Sequence, residues 1–212
     1  MSSHHIVRDE QEPALIISDF LPTQSEDIGQ LLEWSPTVVG LEYALQDLLT
    51  MGIKIDVAVM PEKNVTYWEK ELSYQQPIRF FTSSGSPFEQ FVQIIRQLQK
   101  EKYKTFHILS NQLNLFDFIN LFENFRETAE VIYFSETQKI SISPIGNYKK
   151  WLRKNHEVAV MPIDEPTYIR TSGFTDNANN ELLPSERHFI TKNEGLVTIE
   201  TNLKPLIISE QL

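Results

Sequence analysis

The hydrophobic period of this chain changes once, near residue 130, and that change restricts it to folds built from two kinds of layer. Before the change, short apolar runs alternate with longer segments of helical period. The strand candidates are ALIIS (14–18), TVVG (37–40), DVAVM (56–60), IRFF (78–81) and TFHIL (105–109). They are apolar throughout, the pattern of strands covered on both faces. Between them Phe88, Phe91, Val92, Ile95 and Leu98, and then Leu115, Phe118, Ile119 and Phe122, recur at helical spacing. Each segment thus has one apolar stripe to lay on a sheet. Ser86 followed by Pro87 reads as an N-cap and first helical residue. Residues 1–127 are therefore predicted to form a three-layer αβα domain with a mostly parallel sheet.

After the change, strand-like segments follow at VIYFS, KISISPI, EVAVMPI, TYIRTS, HFITK, GLVTIET and LIIS, separated by turn residues such as Ile145-Gly146-Asn147. That spacing predicts an all-β sandwich over residues 128–212. No internal repeat or low-complexity tract interrupts either half.

Composition removes several classes of function. With 19 Lys+Arg against 29 Asp+Glu the net charge is −10, a field that repels phosphate backbones and anionic membranes, so nucleic acid is not an expected partner. No apolar run reaches membrane-spanning length, and a membrane is not expected either. Zero Cys excludes disulfides, thiolate zinc sites and Cys nucleophiles. Together with a polar start, MSSHHIVRDEQEP, that has no signal-peptide pattern, this predicts a cytoplasmic protein. The seven glycines include none in GxGxxG or GxxxxGK spacing, which excludes a Rossmann fingerprint and a Walker loop.

The order of particular residues says more. GLEYALQDLLTMGIKIDVAVMPEKN (40–64), read with EPALIIS before it and NNELLPSERHFITKNEGLVTIET (179–201) downstream, resembles the thiamin pyrophosphokinase family over almost the whole chain. The resemblance implies an α/β catalytic-type domain followed by a thiamine-binding-type β-sandwich. It implies pyrophosphoryl transfer from ATP to thiamine giving thiamine diphosphate, with Mg²⁺ and ATP as cofactors. It also implies a homodimer whose thiamine site lies between the catalytic domain of one chain and the sandwich of the other.

The framework of that resemblance is kept while its chemistry is not. Where the family has Asp-Gly-Ala at a helix start, this chain has Glu42-Tyr43-Ala44; Gly52-Ile53-Lys54-Ile55-Asp56 stands nearly intact; and Met60-Pro61-Glu62-Lys63-Asn64 replaces the family's Gly-Asp-x-Asp-Ser. Mg²⁺ requires hard oxygen ligands at fixed places, whereas Pro has no ligand atom and Lys repels the ion. The family's Lys-Asp-x-Thr-Asp-x-Glu falls on Ser83-Ser84-Gly85-Ser86-Pro87-Phe88-Glu89, where the final Glu and the Ser86 hydroxyl remain. After TFHIL, the expected Gly-Gly-Arg-x-Asp-His is replaced by SNQLNLFDFINLF, with Asn114 or Asp117 near the vacant position. The candidate catalytic residues are Glu42 and Glu62, whose loops would converge at the C-terminal ends of neighbouring strands and could hold a hydrated Mg²⁺. The alternative is a helix-start acid and a surface acid. No residue is assigned as a metal ligand outright.

In the second half Glu157-Val158-Ala159-Val160-Met161-Pro162-Ile163 resembles the family's strand ending in Leu-Pro, Thr171-Ser172-Gly173-Phe174 its Thr-x-Gly-Leu, and Asn179-Asn180-Glu181 its Ser-Asn-Glu. The resemblance implies Thr171, Ser172, Asn179 and Asn180 as substrate-binding residues, and an amide offers donor and acceptor together to an aminopyrimidine. The alternative is an Asn-rich turn that satisfies itself. The basic cluster Lys149, Lys150, Arg153 and Lys154 around Trp151 reads as mostly solvent-facing, His4 and His5 as a terminal pair, and His107 as a core histidine. Three readings follow: a working thiamin pyrophosphokinase with a rebuilt Mg²⁺ site; a relative with lost or strongly reduced catalysis that binds a thiamine-like or nucleotide ligand; and an interaction protein whose cleft is closed by Tyr43, Met60 and Pro61. The missing carboxylates favour lost or reduced catalysis.

Overall fold

A computed structural model describes residues 12–21, 24–143 and 145–212. The His4 and His5 pair lies outside the described residues. The chain divides into two compact units, Met1–Glu136 and Thr137–Leu212.

The first unit alternates strand and helix in the order β1 (Ala14–Ile17), α1 (Ser25–Leu32), β2 (Thr37–Leu41), α2 (Glu42–Thr50), β3 (Val57–Met60), α3 (Val65–Glu71), β4 (Arg79–Thr82), α4 (Pro87–Lys100), β5 (Thr105–Leu109), α5 (Leu115–Phe125) and β6 (Glu130–Phe134). Its strands lie in the order β6-β5-β1-β2-β3-β4, all paired in parallel. This is the expected αβα architecture. VIYFS belongs here and not to the antiparallel half, because β6 pairs in parallel with β5 from Thr105↔Glu130 to Leu109↔Phe134. A five-residue apolar strand carries no mark of its partner. What places it is α5, a helical crossover of the kind that returns the chain parallel to the strand before it.

Local signals set the helix ends. Ser86 accepts from the Glu89 backbone N–H (3.3 Å) while the Glu89 carboxylate accepts from the Ser86 N–H (2.7 Å), a reciprocal cap with Pro87 at the first helical position. The Ser86 N–H, and then the Ser86 hydroxyl, which donates to Glu89 Oε2 at 3.0 Å, hold the Glu89 carboxyl below its usual range. At the end of α2, Gly52 (φ +70°) donates to the Leu49 carbonyl and Ile53 to that of Leu48, both at about 3 Å, and Ile53 packs in one cluster with Leu48. The Asp56 carboxylate accepts from the Val38 N–H at 2.9 Å and so joins the approaches to β3 and β2. In the segment Gly52 to Asp56, the best-preserved part of the family pattern, Gly52, Ile53 and Asp56 thus each have a structural role.

The second unit contains β7 (Gln138–Ser143), β8 (Asn147–Leu152), β9 (Glu157–Pro162), β10 (Thr167–Ser172), β11 (Asn179–Leu183), β12 (Arg187–Ile190), β13 (Gly195–Thr201) and β14 (Leu206–Gln211). These form two antiparallel sheets, β12-β9-β14-β7 and β11-β10-β13-β8, the expected sandwich. Val158, Val160, Phe189 and Ile208 of the first sheet pack with Ile169, Val197 and Ile199 of the second, and Phe174 lies against Phe189 with ring centroids 5.3 Å apart. Full burial of such side chains contributes about 1.5–3 kcal/mol each before entropy is counted. Lys150 departs from the solvent-facing expectation for its cluster, since its ammonium pairs with Glu210, whose side chain is 6% exposed. Alternation along β8 leaves Lys149 and Trp151 exposed while turning Tyr148 and Lys150 toward Glu210. Burial, and then the Glu210 charge, push the Tyr148 phenol well above its ordinary range.

Candidate functional site

Open parallel sheets bind ligands beyond the carboxyl ends of their strands, where the strand order reverses. In the first unit the reversal lies between β1 and β5, and the groups just past those strands are Asp19, Ser110 and Asn111. Asp19 Oδ1 accepts from the Ser18 hydroxyl (2.6 Å) and the Ser110 hydroxyl (3.0 Å), and its carboxylate also accepts from the Asn111 N–H (3.1 Å to Oδ2). Asn111 Nδ2 donates to Gln24 Oε1 (2.9 Å), and Gln24 Nε2 donates to the Ser135 carbonyl (3.0 Å). Tyr133 lies under this network with its hydroxyl 2.8 Å from the Ser110 and Leu113 carbonyls. Burial, with a smaller contribution from the Asp19 charge, pushes that phenol up to about 12, so it remains a donor at neutral pH. Sequence reasoning did not single out Asp19. The only signal was an acid following an apolar strand; the return of β5 to the side of β1 is not visible in the sequence.

Glu42 and Glu62 do follow neighbouring strands, as expected. Glu42 opens α2 directly after β2, and Glu62 opens a single 3-10 turn, Glu62–Asn64, after β3. Their chemistry differs. Glu42 Oε1 accepts from Asn64 Nδ2 at 2.6 Å and from the indole Nε1 of Trp68 at 3.1 Å, and the Trp68 side chain is part of the core. The half-buried carboxylate therefore clasps the start of α2 to the turn and helix after β3. Glu62 is exposed.

Beyond β4, Ser83 is buried and its hydroxyl donates to Gln93 Oε1 (2.8 Å), while Ser86 and Glu89 form the cap described above. Beyond β5, Asn114 is the N-cap of α5, accepting from the Asp117 N–H at 2.9 Å. His107 packs edge-on to Phe134, with centroids 5.5 Å apart. Tyr43 and Met60 do not close a cleft together: Tyr43 is 72% exposed, and Met60 is buried in the core.

A magnesium ion needs several oxygen donors in near-octahedral array about 2.0–2.1 Å away. The donor set here does not fit that demand. Glu42 Oε1 already faces two N–H groups, Pro61 and Lys63 flank Glu62, and no three His, Asp or Glu side chains among the described residues are placed to hold a metal ion. No step through a metal follows from these residues.

In the second unit, Thr171 is buried, and both its N–H and its Oγ1 bond Ala178: the N–H donates to the Ala178 carbonyl (2.9 Å), and Oγ1 accepts from the Ala178 N–H (2.8 Å). It fastens β10 to the loop before β11. Gly173 has φ +87°, and a Cβ there would lie 2.9 Å from the Leu196 carbonyl oxygen, so the glycine of this motif is required by the backbone. Ser172 shares a 2.9 Å hydrogen bond with Thr198 Oγ1 on the neighbouring strand and is exposed. Asn179 and Asn180 are both exposed. Pairing passes from Arg170↔Asn179 to Ile169↔Glu181, which leaves Asn180 as the extra residue of a bulge at φ +58°. Asn enters that conformation more readily than most residues. Arg187 bonds Glu181 (2.8 Å) and Asp176 (3.1 Å) and lies 4.9 Å from the Phe189 ring centre, so Glu181 also has a structural partner. Of the four residues expected to bind substrate, Thr171 is occupied locally, and Ser172, Asn179 and Asn180 are accessible.

No protein-family sequence profile matches the chain, and no curated protein matches it by sequence. Solved structures do resemble it. Thiamin pyrophosphokinase from Geobacillus thermodenitrificans superposes with a TM-score of 0.72 at 11% identity, covering 94% of this chain and 97% of that one. Thiamine pyrophosphokinase from Bacillus subtilis gives 0.70 at 12% identity over 94% and 99%. Thiamin pyrophosphokinase from Candida albicans gives 0.70 at 11% identity over 96% and 90%. No helix among the described residues is long and apolar enough to cross a membrane. An αβα unit with strand order β6-β5-β1-β2-β3-β4, followed by a two-sheet sandwich and matched along nearly its full length, has the fold of the thiamin pyrophosphokinases.

Proposed function

We propose that this chain is a thiamin pyrophosphokinase-related protein with lost or strongly reduced pyrophosphoryl transfer, acting as a non-catalytic binder of a thiamine-like ligand. The observation that carries this reading is the Glu42 clasp. The one acid at the family's helix-start position has become an internal hydrogen-bond acceptor for Asn64 and Trp68. The fold and the acidic surface remain compatible with a small cationic ligand, whereas a polyphosphate without a metal meets a chain of net charge −10. Ser172, Asn179 and Asn180 are the proposed contacts to the ligand, with Thr171 holding their loop.

Thermal unfolding tests the binding half. Thiamine, without added Mg²⁺, is expected to raise the melting temperature, since a ligand at 100 times its Kd adds about 2.7 kcal/mol of stability. Asn180→Gly is the informative variant. It removes the amide while keeping a residue that accepts φ +58°, whereas Ala there would add backbone strain. The shift should disappear in Asn180→Gly with the unliganded melting temperature unchanged. No shift in the parent protein at millimolar thiamine would remove the binding-module reading.

Assembly is part of the proposal, because the family's site is built from two chains. Light scattering at micromolar concentration should give twice the 24.7 kDa chain mass. A monomer would count against an inherited two-chain site.

A further inference from the structure

A polar cluster lies between the two sheets of the second unit, made of residues to which the proposed function gives no role. Leu206 and Ile208 of β14 belong to the sandwich core, so Glu210, two residues further along the strand, points the same way. On the facing sheet Leu152 of β8 lies in that core, and Lys150 and Tyr148 share its side of the strand. Glu210 is 5% exposed, and its Oε2 pairs with the Lys150 ammonium.

His156, in the connection from β8 to β9, is fixed by its backbone. Its N–H donates to Thr191 Oγ1 at 2.8 Å, and its carbonyl accepts from the Thr191 N–H at 3.0 Å. The ring Nε2 comes to lie 3.9 Å from Glu210 Oε2, too far for a hydrogen bond. The Tyr148 hydroxyl is near enough to the same carboxylate to feel its charge, yet it does not reach hydrogen-bond geometry. Both atoms are buried, and neither has a hydrogen-bond partner. Two polar atoms withdrawn from bulk water in this way carry a desolvation cost that a third group between them and Glu210 would relieve.

The chemistry of the two atoms restricts what that group is. Burial keeps the Tyr148 phenol protonated, so it is a donor. Beside a carboxylate, Nε2 of His156 carries a proton in either state of the ring: a charged ring has both protons, and a neutral one turns its N–H, not its lone pair, toward the negative oxygens. Two donors therefore face a carboxylate that accepts about four hydrogen bonds and gives one to Lys150. A cation offers those donors no acceptor, and an anion would lie against the Glu210 charge. Water accepts two bonds and donates two, and a buried water typically makes about three.

We propose that one ordered water is bound between Tyr148, His156 and Glu210, accepting from the Tyr148 hydroxyl and from His156 Nε2–H and donating to the Glu210 carboxylate. It joins β8 and the β8–β9 connection to β14, a polar tie between the two sheets beside the Lys150–Glu210 pair. The site does not depend on the proposed thiamine binding.

A crystal structure of the full chain, at a resolution that shows ordered water, tests this together with Tyr148→Phe. Density for one water about 2.7–3.2 Å from the Tyr148 hydroxyl, His156 Nε2 and a Glu210 oxygen is expected. Tyr148→Phe removes the hydroxyl alone and should lower the melting temperature by about 2–4 °C, because the water loses a partner and the ring gains none. Without the water the sign reverses, since deleting a buried donor that bonds nothing leaves stability unchanged or raises it. An unchanged or higher melting temperature for Tyr148→Phe overturns the proposal. So does a structure in which the hydroxyl or Nε2 bonds Glu210 directly, or in which an ion holds the position and the melting temperature follows chloride concentration at fixed ionic strength. If the variant fails to fold, the structure of the parent decides.

Discussion

Purified protein supplied with ATP, Mg²⁺ and thiamine is expected to form thiamine diphosphate at least about a thousandfold more slowly than the 1–100 per second usual for kinases. The expectation follows from where negative charge develops. Pyrophosphoryl transfer requires cations to neutralise phosphate oxygens, and removal of one such stabilising group commonly costs about 10²–10³ in rate. Here the acids that would fix the ion are absent from the turn after β3, where Pro61 and Lys63 stand, and from the segment after β4, where Ser84 and Pro87 stand. The Glu that remains after β4 caps α4, and the Glu that opens α2 is bonded to Asn64 and Trp68. A coupled assay for thiamine diphosphate or AMP measures this directly. Turnover of about one per second or faster would overturn the proposed function and make Glu42 and Glu62 the leading catalytic pair.

Replacing Glu42 by Ala is expected to destabilise the first unit by about 3 kcal/mol, because two charge-assisted hydrogen bonds are lost and a buried indole N–H is left without an acceptor. For a chain of this size that corresponds to a melting temperature lower by about 6–12 °C. Glu42→Gln, which keeps an amide oxygen able to accept from Trp68 Nε1, should recover more than half of the loss. The sign separates two roles for this side chain. An acid held ready for a divalent ion is a source of like-charge repulsion in the absence of the ion, so its removal would leave stability unchanged or raised. Thermal unfolding in EDTA distinguishes the two, and an unchanged or higher melting temperature for Glu42→Ala would show that the clasp contributes nothing.

Several features of the site are legible in the sequence alone. The Ser86-Pro87 start of α4 appears as predicted, because a cap depends on residues three apart in sequence. The placement of Glu42 and Glu62 at adjacent strand ends was also legible, since consecutive parallel strands joined by helices put successive loops on one edge. The occupation of Glu42 by Trp68 was not, because the two residues meet only when α3 folds back beside the start of α2. Asn180 shows the same limit in the sandwich. As a residue it reads equally as a ligand contact or a turn former, and only the slipped pairing between Ile169 and Arg170 identifies it as the bulge residue with positive φ.

By itself the sequence determined what depends on neighbours along the chain: the change of period, the apolar strands of the first half, the helical stripes of α4 and α5, the Ser86 helix start, and the loss of carboxylates from the loops. Hydrophobic periodicity and capping act within a turn or two of the backbone, so the information is local. Tertiary structure alone decided the rest. It put β6 beside β5 and β5 beside β1, so that Asp19, Ser110 and Asn111 meet at the reversal of strand order. It turned Glu42 toward Asn64 and Trp68. Each of these is a contact between residues far apart in sequence. Which donors a carboxylate meets depends on how whole elements pack, and no short stretch of the chain records that packing.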